Sequence, residues 1–181
     1  MAGDNSKKKW LEVGHELFAL DGPDGIQVER LARVVGLNKS GFYHYFGSRD
    51  IYFEELLSSY NKVIDEYISE ILSLKNFEEY LALMIKYRTT VLFHVQLSRN
   101  TDKKIYREML ENNNQRIEKL VIPLWSAYIQ LARPNLAHKY FELVRDMFYC
   151  RVNSKNLDIE FLLQLGKETQ ILFKELQNTE S

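Results

Sequence analysis

Residues 26–49, IQVERLARVVGLNKSGFYHYFGSR, constrain this chain more than any other stretch. From Val28 onward, Leu31 and Val35 fall on one helical face, with the small Ala32 beside them where a second helix must approach closely. Gly36 stands where a helix has to end on positive φ, which glycine adopts without a Cβ penalty. Asn38 is a good N-cap for a short second helix, whose packing face comes from Leu37 and Phe42. Gly47 stops that helix, and Ser48 is placed to cap the next one. A generic helical hairpin does not need the small residue, the glycine and the apolar positions in this register. A helix-turn-helix does, because its second helix must be held rigidly so that its N-terminal end projects into a DNA major groove.

From about Trp10 to Tyr60 the chain resembles the TetR/AcrR transcriptional regulators, most densely in GLNKSGFYHYFGSRDIYFEELL. The aromatic cluster Phe42-Tyr43-His44-Tyr45-Phe46, followed by Gly47-Ser48-Arg49, is the specific part. The resemblance implies an all-α fold of about nine helices. A three-helix DNA-binding domain would occupy residues 1–50, and a helical ligand-binding and dimerisation domain residues 51–181. Two positions depart from the family pattern. Ile26-Gln27 stand where a Thr pair is frequent, and Glu29 stands where a basic residue is common, which weakens the expected contribution of that helix to DNA affinity.

Hydrophobic periodicity gives the same fold class independently. The 3 prolines and 8 glycines are few and clustered, which favours long helices. Residues 1–6 read as unstructured and the first helix as Lys7–Asp21, ended by the breaker cluster Asp21-Gly22-Pro23-Asp24-Gly25. Helices follow at about 27–35 and 39–46, and then one that starts near Ile51 and is about 25 residues long. A single helix is expected over 77–93, capped by Asn76, and a polar break over 98–104. One or two helices fill 105–131, with Pro123 kinking or interrupting the later part. Two more, at about 135–153 and 158–177, close the chain, and no strand pattern stands out.

Charge narrows the function. The net charge is −1, so any affinity for nucleic acid must come from a local patch. Between Gln27 and Arg49 lie Arg30, Arg33, Lys39 and Arg49 against the single acid Glu29, a local excess of three positive charges. Lys39, Ser40 and Gly41 occupy the first turn of the second helix. There a lysine reaches guanine O6/N7, a serine reaches a base or phosphate, and a glycine lets the backbone come close. Tyr43 and His44, one turn on, suit phosphate oxygens, as does Arg49 at the start of the next helix. The resemblance implies similar roles for these six positions, and Gln27 and Arg33 complete the set expected at the DNA. Arg30 and Arg33 also fit a purely solvated face, and Lys7-Lys8-Lys9 fits a solvated charge run better than a minor-groove arm.

The remaining two-thirds carries less signal. Aromatic residues crowd the helices from Phe77 to Tyr128, as in apolar ligand pockets, although a plain aromatic core reads the same way. The candidate ligand contacts are Tyr87, Arg88, Phe93, Arg99, Trp125 and Tyr128, for an apolar or aromatic effector, with the two arginines suited to an anionic one. The last two helices are the expected homodimer interface, with Gly166 allowing close approach. The partners are then double-stranded DNA with a palindromic operator, a small-molecule effector and a second copy, with no membrane, no cofactor and no metal. No HExxH, CxxC, GxSxG or phosphate-cradling glycine loop points to an enzyme. One cysteine, Cys150, excludes an intrachain disulfide and fits a reducing cytoplasm, and no apolar run approaches the roughly 18 residues of a membrane span. The alternative to a ligand-responsive repressor is a helical interaction module that has kept the fold and lost DNA binding.

Overall fold

The computed structural model describes residues 2–131 and 133–179, with side chains for 5–131, 133 and 135–175. The described residues are all-α. The nine α-helices are α1 (Ala2–Asp21), α2 (Val28–Val35), α3 (Lys39–Phe46), α4 (Arg49–Ile71), α5 (Phe77–Lys86), α6 (Arg88–Arg99), α7 (Lys104–Tyr128), α8 (Ala137–Arg151) and α9 (Ile159–Thr179). Short 3-10 turns at Gly22–Gly25 and Pro134–Leu136 precede α2 and α8. No helix among the described residues is long and apolar enough to cross a membrane.

The chain forms two compact units. The first comprises Met1–Glu66 with Thr89–Arg107, so α6 folds together with α1–α3 and most of α4. Its interior is a run of rings: Phe93 lies between Phe18 and Tyr60, with stacked centroids 4.0 and 4.3 Å away. Tyr60 and His94 Nδ1 share a buried 2.6 Å hydrogen bond, and Tyr52 donates to the Trp10 carbonyl at 2.9 Å. Burial pushes the Tyr52 hydroxyl pKa up, so this donor stays protonated. A Cβ at Gly14 would collide with that hydroxyl, so the glycine is what allows α1 and α4 to lie so close. From α6, Gln96 Nε2 donates to the Ala19 and Leu20 carbonyls at 3.5 and 3.2 Å, serving acceptors that the last turn of α1 leaves open.

The second unit comprises Tyr67–Arg88 with Glu108–Ser181. Trp125 is fully buried, edge-on to Phe141 and Phe173, and Tyr140 stacks on Phe173 at 4.7 Å. Beside these rings Glu118 is buried and paired with Arg145. Tyr149 donates to Asn114 Oδ1 at 2.8 Å.

Four elements differ from the sequence expectation. The helix begins at Ala2 rather than Lys7, and Lys7 anchors its early turns through a 2.9 Å hydrogen bond to Glu55 of α4. The single helix expected over 77–93 is broken at Tyr87. There the Tyr87 hydroxyl donates to Glu70 at 2.6 Å, and Arg88 donates to the Leu157 and Ser154 carbonyls, bonds that local periodicity does not reveal. Conversely, of the kink or interruption expected at Pro123, the interruption does not occur, and α7 continues through it as one helix. A proline inside a helix costs about 3 kcal/mol, and the fully buried Val121 and Trp125 on either side offset it. Gly166 lies against Tyr128 of the same chain, a Cβ there meeting the hydroxyl at 3.2 Å, so its close approach is made within the subunit.

Candidate nucleic-acid interface

The helix-turn-helix is assembled by local rules. Val28, Leu31, Ala32 and Val35 are buried at i, i+3, i+4 and i+7, which fixes the inner face of α2. Gly36 closes α2 with φ 76° and its N–H bonded to the Ala32 carbonyl. Nothing lies within 4 Å of where its Cβ would be, so the backbone angle rather than space requires glycine there. Asn38 then caps α3, its Oδ1 accepting from the Gly41 N–H at 3.0 Å. Phe42 and Phe46 are the buried anchors of α3, with Phe42 5.6 Å from Trp10 and 5.1 Å from Tyr52. Leu37, expected on that packing face, is instead 41% exposed in the turn, and Phe46 joins Phe42 as the second buried anchor. Tyr45 is half-buried.

Anchoring these two rings turns the rest of α3 outward. Lys39, Ser40, Tyr43 and His44 are exposed and Gly41 is half-buried, so the first turn and a half presents lysine, hydroxyls and imidazole along one edge. Gln27 and Arg33 on the α2 side are exposed as well, with Gln27 donating to the Asp24 carbonyl at 3.3 Å. Arg49 opens α4, its guanidinium 5.3 Å from the Phe53 ring and bonded to the Pro23 carbonyl at 3.3 Å. The Ser48 hydroxyl accepts from the Ile51 N–H at 3.2 Å and caps α4.

The positive patch is less free than its composition suggests. Arg30 is held by Asp21 at 2.6 Å, and Lys39 reaches across from α3 to Glu29 of α2 at 2.5 Å. That hydrogen bond keeps the Glu29 carboxyl below the usual carboxylate range. Ser40 donates its hydroxyl to Asn38 Oδ1 at 2.6 Å. Half-buried Lys7 is paired with Glu55 of α4, and exposed Lys8 with Glu12 one turn along α1. The pairing of Arg30 was missed from sequence because Asp21 lies beyond a break, in another helix. Glu29 and Lys39 lie ten residues apart in the sequence, and only the turn geometry brings them together.

Residues 11–56 match the family model described as bacterial regulatory proteins, tetR family. The helix-turn-helix segment is therefore of the type found at the N-terminus of that family's regulators. The match spans the end of the first helix, the helix-turn-helix and the start of α4, the segment just described. A solved structure described as a transcriptional regulator (TerR/AcrR family) from Aquifex aeolicus VF5 has the same fold. It matches with a TM-score of 0.60 at 22% identity, covering 94% of this chain and 99% of that one. No curated protein sequence matches the chain.

The six candidate effector contacts do not share one environment. Phe93 and Arg99 belong to the first unit, Phe93 within the ring stack. Tyr87, Arg88, Trp125 and Tyr128 belong to the second. There Tyr87 and Arg88 hold the α5–α6 break, and Trp125 sits in the core. Tyr128 lines an open groove of about 460 Å³ with Lys75, Phe77, Pro123, Leu124 and Gln170. Lys75 and Gln170 were not among the sequence candidates, since nothing local links α9 to the start of α5. Among the described residues no cluster of three His, Cys, Asp or Glu side chains is arranged to hold a metal.

Proposed function

We propose that this chain is a TetR-family regulator, a cytoplasmic homodimer that represses transcription from a palindromic operator and is released by a small-molecule effector. Residues 1–50 would carry DNA recognition and residues 51–181 effector binding and dimerisation. The observation that supports this best is the outward edge of α3. Phe42 and Phe46 are spent on anchoring, and the polar side chains Lys39, Ser40, Tyr43 and His44 are all left exposed. In this reading Lys39, Ser40 and Gly41 meet base edges, and Tyr43, His44, Arg49, Gln27 and Arg33 meet phosphates.

One short recognition helix reads only a few base pairs, so useful specificity calls for two half-sites and two copies. Leu143 on α8 and Ile171 and Leu172 on α9 are large apolar side chains exposed at 57%, 59% and 43%, and they favour that face as the dimer contact. For the effector, the groove lined by Phe77, Leu124 and Tyr128 suits an apolar or aromatic compound, and Lys75 at its rim would accept an anionic group. Coupling would run along α4, which opens with Arg49 and continues unbroken to Ile71 in the second unit. A coupling of about 1–3 kcal/mol is enough to change operator occupancy.

Selection of bound sequences from random duplex DNA tests the reading directly. A recovered palindrome, with binding lost on Tyr43→Ala, is the expected result. Failure to enrich any sequence at low salt would favour a helical module without DNA binding.

A further inference from the structure

We infer that Glu29 is a positioning residue for DNA discrimination: by clasping Lys39 across the helix-turn-helix, it withholds that lysine from indiscriminate phosphate contact and aims it at a base edge. The inference rests on the reading of α3 as the recognition helix and concerns how that helix is tuned.

The geometry is specific. Glu29 lies in the first turn of α2 and Lys39 in the first turn of α3, and their side chains close a 2.5 Å ion pair although they are 53% and 67% exposed at lysine and glutamate respectively. Of the cations nearby, Arg30 is taken by Asp21, and Arg49 is turned to the Pro23 carbonyl and the Phe53 ring; Arg33, one turn on from Glu29 along α2, is exposed, and Glu29 pairs with Lys39. The tip of α3 is tied down a second time by the Ser40 to Asn38 hydrogen bond at 2.6 Å.

Non-specific affinity comes from cations that neutralise phosphates and release counterions. A lysine already neutralised by a carboxylate contributes little to that release, and the carboxylate itself opposes close approach of a phosphate. Base readout is affected differently. An ammonium group has three N–H donors, so one stays on Glu29 while the others reach guanine O6 and N7. The clasp therefore lowers affinity for arbitrary duplex more than for the cognate one. It also limits the rotamers from which Lys39 searches.

The test uses the full chain and two probes. One is a duplex carrying the sequence that the wild-type protein enriches from random DNA, and the other is a scrambled duplex of the same length. Binding is followed by fluorescence anisotropy across a salt series. Glu29→Gln is expected to tighten binding to the scrambled duplex several-fold at low salt. It should also steepen the slope of log K against log salt by about one, as one more phosphate is neutralised. Affinity for the selected duplex should change less, so the ratio of the two falls. In a Lys39→Gln background, Glu29→Gln should alter neither slope nor ratio. Persistence of the effect in that background would overturn the clasp, because Glu29 would then act only as a diffuse charge. So would an unchanged ratio in Glu29→Gln alone. If the wild-type protein enriches no sequence, the recognition-helix reading itself fails, a result distinct from either.

Discussion

In the first compact unit the deepest side chains are rings stacked on rings, whereas the second adds to its own ring cluster a buried carboxylate paired with a half-buried guanidinium. Phe18, Phe93 and Tyr60 form the one interior, with the hydroxyls of Tyr52 and Tyr60 closed onto a carbonyl and an imidazole. Glu118, paired with Arg145 and 3.8 Å from His138, marks the other. The stacked interior derives its stability from apolar burial, which is non-directional, plus geometry-dependent ring contacts. The ion pair is directional. It adds little net stability over an apolar replacement, yet losing one partner is costly. The unit that presents α3 thus rests on ring packing, and the unit that carries the groove adds to its own ring cluster an ion pair whose loss is costly.

The sharpest way to break this contrast is Arg145→Ala, which leaves Glu118 buried without its partner. It should destabilise the protein by about 3 kcal/mol in urea unfolding, while the paired replacement Glu118→Leu with Arg145→Met recovers most of the loss. A cost of a few tenths would mean the second interior does not depend on the pair. Acid should act on the first unit instead. Burial lowers the His15 pKa from 6.5 to about 4, against smaller raising effects from the Leu56 backbone and Glu12. Between those values the unfolded chain binds the extra proton, so stability falls as pH drops from 6.5 toward 4. The full loss is about 2–3 kcal/mol. His15→Leu should flatten that part of the pH profile relative to wild type.

Gly14→Ala probes the same platform sterically. Its methyl would collide with the Tyr52 hydroxyl and cost about 2 kcal/mol, seen as a lower Tm, with Tyr52→Phe restoring part of it. The smallest effect belongs to Asn38→Ala. Loss of the α3 cap should cost about 1 kcal/mol by chemical denaturation and weaken DNA binding further, since Ser40 loses its acceptor too.

What was legible in the sequence follows the range of the forces involved. The turn glycine, the Asn38, Ser48 and Asn76 caps and the buried face of α2 are fixed by residues within four positions of one another, and each appears where periodicity puts it. The break at Tyr87 was not legible, because Glu70, Ser154 and Leu157 enforce it from far along the chain. The same holds for the charge state of the surface proposed to face DNA. A count over residues 27–49 gives three surplus positive charges, but Asp21 lies outside that window and Glu29 is turned toward Lys39. At Pro123 the helix is not interrupted: the proline's local cost is real, and burial on both sides offsets it.

The membership of α6 in the first unit has a consequence for biosynthesis. When the ribosome has released residues 1–66, every side chain assigned to the operator has been made, yet the ring of Phe93 that fills the space between Phe18 and Tyr60 has not. Nor has Gln96, which closes the end of α1. A nascent DNA-reading head therefore stays unfinished until about forty further residues have emerged, and a fragment cut after α4 would expose an aromatic slot rather than a stable domain.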